Sequence, residues 1–373
     1  MKLVIDRSAL LKSLGHVQSV VERRGTIPIL SNVRLDAADE TLSLTATDMD
    51  IAVVERAPTA SIAEPGQATV PAHTFYDIVR KLPDGAQVEI SRAADSTKVV
   101  IRAGQSRFSL STLPVEDFPV MTEGELPHSF TITAAECNAL IDKTRFAVST
   151  EETRYYLNGI YFHAAESQGT TVLRTVATDG HRLARIEVPL PAGASGMPGV
   201  IIPRKTIGEI KKLIEEGVSE VGISLSENKI RFTCGNAILI SKLIDGTFPD
   251  YERVIPSAND KIMEVDGNAF TQAVDRVSVI ASEKTRGIRL SVAQGKLTLS
   301  ADSPEHGTAT EELDVNYAAT PIEIGFNSRY LLDMMAQMEG DTVQFVLADG
   351  ASPALVRDTA DVGALYVVMP MRV

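Results

Sequence analysis

Asp179, Gly180, His181 and Arg182 form the run with the most chemistry in it, a carboxylate two positions from an imidazole at the end of an alternating strand. Such a pair can act as general acid and base. Nothing else in the sequence completes a catalytic apparatus: there is no G-x-S-x-G elbow, no H-E-x-x-H helix and no G-x-G-x-x-G turn. His16, His73, His128, His163, His181 and His306 include no two at the spacing that puts metal ligands on one helix face. Cys137 and Cys234 cannot build a disulfide framework and lack zinc-ligand spacing. The Gly/Pro-rich stretch from Pro191 to Gly199 lacks the Lys-Ser/Thr ending of a phosphate-binding loop and reads as a connection. Asp179 also has a plainer reading, because Asp48 stands at the same place in an earlier strand of the same pattern. The chain does not read as an enzyme, and no cofactor and no metal is expected.

Charge placement says more. The chain carries 36 basic and 49 acidic residues, a net charge of −13, which rules out a general cationic coat for nucleic acid. It leaves room for a local basic lining. Arg23-Arg24, Arg80-Lys81, Lys143 with Arg145, Arg204-Lys205 and Lys211-Lys212 all fall on helix ends or free helix faces. Cations near helix C-termini account for part of this without any ligand. Arg154-Tyr155-Tyr156 offers a phosphate partner beside amphipathic rings, or equally a tyrosine packed in a core. The apolar C-terminus, Tyr366-Val-Val-Met-Pro-Met-Arg-Val373, reads either as a last strand or as the wall of a groove. Methionines suit grooves that accept several peptides.

The elements that must position these residues repeat three times. Leu42-Ser-Leu-Thr-Ala46-Thr-Asp48, Leu173-Arg-Thr-Val-Ala177-Thr-Asp179 and Leu297-Thr-Leu-Ser-Ala301-Asp-Ser303 end alike, with 131 positions from Ala46 to Ala177 and 124 from Ala177 to Ala301. Apolar residues at helical spacing recur with the same offsets: Phe75, Ile78, Val79 and Leu82; Ile207, Ile210 and Ile214; Leu331, Met334, Met335 and Met338. Strand-ending prolines, Pro119, Pro249 and Pro370, supply a third anchor. Each copy divides again into two modules of one helix and several antiparallel strands, with further helices from Ser8 to about Val20, near Ala134–Phe146, and over Phe270, Val274 and Val277. At 373 residues and 44% hydrophobic composition, the chain is long and apolar enough for three domains with real cores. With no apolar run near the ~20 residues of a bilayer span, and an early charge where a signal peptide would be apolar, the chain is expected to be cytoplasmic.

These residues carry a family resemblance. Pro28-Ile29-Leu30, Arg107-Phe-Ser-Leu-Ser-Thr-Leu-Pro114, Arg154-Tyr-Tyr-Leu-Asn-Gly159, Arg174-Thr-Val-Ala-Thr-Asp-Gly-His-Arg-Leu183, Phe248-Pro-Asp-Tyr251, Glu323-Ile-Gly-Phe-Asn327 and Tyr366-Val-Val-Met-Pro-Met-Arg372 stand in order along the whole chain. The sequence resembles the β subunit, or sliding clamp, of bacterial DNA polymerase III. The resemblance implies an α+β fold of three repeated DNA-clamp domains, 1–125, 128–252 and 253–373, each with two helices on antiparallel sheets. A head-to-tail homodimer would close as a ring of six domains around duplex DNA, with no sequence specificity and no catalytic site of its own. As an accessory subunit of the holoenzyme, a DNA-directed DNA polymerase, it would act in DNA replication as a processivity factor.

The resemblance also assigns residues. Arg24, Tyr155 and Tyr156 match DNA-binding positions, and Arg204 and Lys205 begin a helix facing the hole. His73 and Glu151 also match DNA-facing positions but depart from the usual residues, as does Thr74, so they should attract DNA less. A peptide groove would be walled by Leu157, Thr178, Gly180, His181, Arg182 and Leu183. Pro249, Arg253 and Val254 would add to it, as would Val367, Val368, Met369, Pro370, Met371 and Arg372. The implied dimer contacts are Phe108 and Leu110 on one edge and Val279 and Ile280 on the other. Implied partners are double-stranded DNA, a second copy of the chain, and short linear motifs of the polymerase III alpha subunit, the clamp loader delta subunit, translesion polymerases and mismatch-repair proteins. A peptide-binding scaffold that never encircles DNA, and an enzyme using Asp179 and His181, are the competing readings.

Overall fold

Many strands of this protein alternate buried residues with less buried ones, as in Lys2–Asp6 and Lys229–Cys234, so their sheets have one face to cover. In the computed structural model, which describes residues 1–373 except 24, 59–60, 123, 215–216, 282–285 and 373, helices supply that cover. Six α-helices lie among the described residues: α1 (Arg7–Gln18), α2 (Ala72–Lys81), α3 (Ala134–Arg145), α4 (Arg204–Ile214), α5 (Gly267–Ser278) and α6 (Ser328–Met335).

Each helix that opens a repeat starts directly from a strand, and its first residues show why. Asp6 caps α1 by accepting from the Ser8 amide at 2.8 Å, and Asp266 caps α5 by accepting from the Ala269 amide at 2.7 Å. The middle copy uses a capping box instead. Thr133 Oγ1 accepts from the Glu136 amide at 3.1 Å, and Glu136 Oε2 accepts from the Thr133 amide at 2.8 Å. The apolar stripes then go inward, with Phe75 and Val79 of α2, Ile207 and Ile210 of α4, and Leu331 and Met334 of α6 buried.

The chain divides into two compact units. The first comprises Met1–Cys137, Pro191–Pro198 and Lys205–Leu243. It holds a five-stranded sheet in the order Ser61–Glu64, Lys2–Asp6, Gln87–Ser91, Lys98–Ala103, Ser106–Ser111. It also holds an eight-stranded sheet in the order His128–Thr133, Glu220–Leu225, Lys229–Cys234, Ala237–Lys242, Ile51–Pro58, Thr41–Thr47, Asn32–Ala38, Gly66–Pro71. The second unit comprises Asn138–Leu190, Gly199–Arg204 and Ile244–Val373. Its eight-stranded sheet runs Val200–Pro203, Gly159–Ser167, Thr170–Thr178, Arg182–Pro189, Ala364–Val368, Ala354–Asp358, Thr342–Leu347, Lys261–Asp266. A four-stranded sheet runs Gly307–Asp314, Lys296–Ser303, Gly287–Ala293, Ile322–Asn327. Every strand pairing among the described residues is antiparallel.

The eight-stranded sheets show how the repeat assembles. In the first unit, Ala237–Ser241 of the middle third pairs with Ile51–Glu55 of the first. In the second unit, Arg182–Ile186 of the middle third pairs with Ala364–Val368 of the last. The middle third thus gives one half to each sheet. The fold is α+β, as expected, with two refinements. Leu82 and Met338 lie beyond the ends of α2 and α6. The residues before Pro119 and Pro249 are not strands, although Phe118 and Phe248 are buried there; only Pro370 follows one, Ala364–Val368.

Candidate functional site

The turn that ends the repeated strand comes first. Asp48 Oδ1 accepts from the amides of Asp50 and Ile51 at 2.9 and 2.7 Å. Asp179 Oδ1 accepts from those of His181 and Arg182 at 2.9 and 3.0 Å. Ser303 Oγ accepts from those of Glu305 and His306, both at 3.4 Å. One side chain closes the same turn three times, so Asp179 is engaged as a turn residue. Its second oxygen takes Arg182 Nε at 3.1 Å. Gly180 sits at φ +88°, and an added Cβ there would lie 2.6 Å from Nη1 of Arg154.

Over this turn lies an apolar cavity of about 240 Å³ within the second unit. Its walls are Arg154, Tyr156, Leu157, Thr178, Gly180, Arg182 and Leu183 on one side, and Pro249, Asp250, Tyr251, Val254, Val367 and Met369 on the other. Leu157, Leu183, Tyr251 and Val367 belong to a buried cluster with Val176, Phe248 and Leu365, so the floor is continuous with the core. Below it, the Tyr161 ring stacks on Phe248 at 4.9 Å and on His163 at 4.4 Å, with Tyr251 edge-on to both Tyr161 and Phe248.

A chain of hydrogen bonds holds Tyr251. Arg174 Nη1 donates to the Tyr251 hydroxyl at 2.6 Å, and His163 Nε2 is 3.0 Å from that same oxygen. His163 Nδ1 faces the Ala164 carbonyl at 3.0 Å. A neutral imidazole protonated on Nδ1 satisfies every member, with the tyrosine donating to Nε2. Burial pushes His163 down to about 4 and Tyr251 up to about 12, which keeps both neutral. The buried Arg174 is neutralised by Glu187 at 2.7 Å and Glu252 at 2.5 Å.

Other residues expected in the groove lie elsewhere. Arg253 is exposed and pairs with Asp250 at 2.7 Å. Val368 is fully buried in the sheet. Pro370, Met371 and Arg372 line a separate hollow of about 500 Å³ with Arg289, Glu323 and Gly325. His181 faces a polar cleft of about 530 Å³ on the other side of the turn, stacked with Tyr330 at 6.2 Å. Arg182 borders both the apolar cavity and the polar cleft, with Nη1 2.6 Å from Asp333 Oδ2 and its guanidinium 4.4 Å from the Tyr330 ring. Sequence reasoning did not assign Arg154, Asp250 and Tyr251 to the cavity, and it assigned Tyr156 to DNA. The run Phe248-Pro-Asp-Tyr251 held the signal, since a buried aromatic needs a pocket edge.

The residues expected at DNA are spread out. Arg24 lies outside the described residues. His73 is turned onto α1, with Nδ1 2.9 Å from Gln18 Oε1 and Nε2 3.0 Å from the Val21 carbonyl. Lys205 pairs with Asp48 and, at 3.5 Å, with Glu22. Glu151 pairs with Arg154 at 2.7 Å. Tyr155 is exposed and edge-on to Tyr156, and Arg204 opens into the polar cleft. Phe108 and Leu110 are half-buried on the edge strand Ser106–Ser111, Val279 is 75% exposed past α5, and Ile280 beside it is half-buried. Among the described residues no cluster of three His, Cys, Asp or Glu could hold a metal ion, and no helix is long and apolar enough to cross a membrane.

Comparison with known proteins agrees along the full length. Family models described as the N-terminal, central and C-terminal domains of the DNA polymerase III beta subunit match residues 1–122, 131–250 and 252–372. The beta sliding clamp of Caulobacter vibrioides is 55% identical over 373 residues, covering 100% of both chains, and that of Escherichia coli K12 is 41% identical over 374 residues, also covering 100% of both. A crystal structure of the Caulobacter crescentus clamp with polyethylene glycol bound superposes with a TM-score of 0.98 at 54% identity, covering 100% of this chain and 99% of that one. A Bartonella birtlesii clamp bound to griselimycin gives 0.97 at 49%, covering 100% of each. The chain belongs to the DNA polymerase III beta subunit family, the beta sliding clamps. It is a processivity clamp for DNA polymerase, an accessory subunit and not a catalyst.

Proposed function

We propose that this chain works as a cytoplasmic head-to-tail homodimer whose six domains encircle duplex DNA, with domain bounds at 1–125, 128–252 and 253–373. One observation carries the reading. Two of the three sheet junctions that the repeat requires are made inside the chain, between 237–241 and 51–55 and between 182–186 and 364–368. The strands at the corresponding places of the repeat that find no such partner are Ser106–Ser111 and Gly307–Asp314, each at one edge of its sheet. A second copy supplies the missing partner for each, and two such heterologous contacts close a ring. Phe108 and Leu110 on the first edge, and Val279 and Ile280 beyond α5, give that junction its apolar contact.

A closed ring holds DNA by topology, so a few weak phosphate contacts suffice and sliding is allowed. Tyr155 and Arg204 are exposed for that role, and Arg24 and the half-buried Tyr156 are proposed to join them; His73, Glu151 and Lys205, each already partnered, contribute less. The apolar cavity takes short linear motifs of the polymerase III alpha subunit, the clamp loader delta subunit, translesion polymerases and mismatch-repair proteins. It is open and lined by Leu157, Leu183, Val367 and the adaptable Met369. The labelled protein, loaded onto a nicked circular plasmid by a clamp loader, should stay on the circle and come off when the plasmid is cut once. Retention on the cut plasmid would mean ordinary DNA binding and would sink the ring.

A further inference from the structure

We propose that Met369 is a site of reversible oxidation, and that converting its thioether to the sulfoxide with hydrogen peroxide weakens the hold of the apolar cavity on peptide motifs. The inference rests on the reading of that cavity as the peptide seat and adds a modification that governs it.

Access is the first argument. The chain has ten methionines, and Met197, Met263, Met334 and Met335 are buried in its cores, out of reach of an oxidant in solution. Met369 is half-buried and is the only methionine among the described residues lining the cavity, so its side chain borders open space until a peptide docks. The two cysteines do not compete for peroxide. Both are buried, and burial pushes the Cys234 thiol up to about 12, far from the thiolate that reacts.

Fixation is the second. The Met369 amide donates to the His181 carbonyl and the Met371 amide to the Gly325 carbonyl, both at 2.9 Å. Ala364–Val368, just before, is buried and paired on both sides. The backbone is tied on either side, so a shift of the tail cannot carry an altered side chain out of the cavity. Leu157, Leu183 and Val367 belong to a buried core cluster and cannot draw back from it either.

The third is the want of a partner for the new oxygen. The polar groups at the rim are engaged. Thr178 Oγ1 donates to the Arg182 carbonyl at 2.7 Å and accepts from the Gly180 amide at 3.1 Å. Arg182 is spread over Asp179, Asp333 and the Phe146 carbonyl. Arg154 pairs with Glu151 at 2.7 Å, and the Tyr251 hydroxyl sits between Arg174 and His163. Water satisfies a sulfoxide in the open cavity. A docking apolar side chain strips that water away and leaves the oxygen unpaired, so the cost falls on binding.

The chemistry is a two-electron transfer. The sulfur lone pair attacks one oxygen of hydrogen peroxide, the S–O bond forms and the O–O bond breaks. The departing hydroxide takes the proton from the transferred oxygen and leaves as water; sulfur is oxidised and peroxide reduced. Two thiols of a methionine sulfoxide reductase return the electrons, ending as a disulfide with release of water. A docked peptide covers the sulfur, so unoccupied clamps are the ones modified.

The test treats the full-length protein with hydrogen peroxide and follows each methionine by mass spectrometry of its proteolytic fragments. Affinity is read by anisotropy of a labelled peptide carrying the linear motif of the polymerase III alpha subunit. Met369 should oxidise well ahead of Met263 and Met334, and more slowly when that peptide is in excess. Its oxidation should weaken peptide binding about tenfold, and the two methionine sulfoxide reductases together should restore it. In Met369→Leu, peroxide should leave affinity at whatever value the variant has before treatment. Sedimentation should report the same dimer throughout, since Ser106–Ser111 and Gly307–Asp314 contain no methionine. The proposal is overturned if Met369 stays reduced while Met49, 46% exposed, is converted. An equal peroxide loss in Met369→Leu would overturn it as well, by placing the sensitive group elsewhere. Oxidised protein that binds as tightly as untreated would remove this proposal and leave the peptide seat standing. Untreated protein that fails to bind the peptide would remove both.

Discussion

His163 sits beneath the cavity floor with both ring nitrogens spoken for, and this makes its charge a liability. Its folded value of about 4 lies below the ordinary 6.5. Above pH 6.5 the ring is neutral folded or unfolded; between 6.5 and 4 only the unfolded chain takes up the proton, so stability falls as pH falls, and below 4 the loss is complete. The full effect is about 2 kcal/mol once partial exposure is allowed for. His163→Phe should therefore cost about 1 kcal/mol at neutral pH, because Tyr251 loses its acceptor, and that deficit should shrink towards pH 4.5 in urea unfolding. A deficit constant with pH would show that the imidazole is not the titrating group. At this scale the sequence exposed Asp179 as a turn residue by comparison with Asp48, and the third copy keeps the turn with Ser303. The pairing of His163 with Tyr251 was not visible, because nothing in spacing relates residues 88 positions apart.

Among the elements, the last strand and its tail divide structure from recognition. Ala364–Val368 is buried along its whole length and paired on both sides, which is why it reads as an unbroken apolar run rather than an alternation. Beyond it, Met369 is fixed by its amide to the His181 carbonyl and Met371 by its amide to the Gly325 carbonyl, both at 2.9 Å. Deleting residues 369–373 removes one wall of the cavity and no rung of the sheet. Peptide affinity should fall more than tenfold by anisotropy, while sedimentation still gives a dimer. A monomer would mean the tail is structural and the cavity wrongly assigned. Helices were legible at this scale through their apolar spacing, which turns Phe75 and Val79 of α2 and Leu331 and Met334 of α6 inward as observed. The prolines misled as strand ends because Phe118 and Phe248 are buried by tertiary packing in segments without a ladder, which no local period announces.

For the whole molecule the decisive question is which edge strands of the repeat lack the partner that their equivalents have, and that depends on topology rather than on any motif. Threefold offsets along the chain settle the count of copies, but only the pairing of 237–241 with 51–55 and of 182–186 with 364–368 reveals which edge strands of the repeat, Ser106–Ser111 and Gly307–Asp314, lack their counterpart. Placing carboxylates at both apolar positions of one such edge, as Phe108→Asp with Leu110→Asp, should make closure fail. Two charges would have to be buried without partners, a cost of several kcal/mol at each of two junctions. Neither position belongs to the core, being half-buried on a strand with one free side, so the protomer itself should stay folded. Sedimentation should then report a monomer, nicked circles should retain none of it, and the cavity should bind peptide as before, because every residue lining it belongs to the second unit while Phe108 and Leu110 belong to the first. A variant that remained dimeric would place the junction on other strands. One that became monomeric yet still stayed on uncut circles would show that phosphate contacts, and not closure, hold the clamp on DNA.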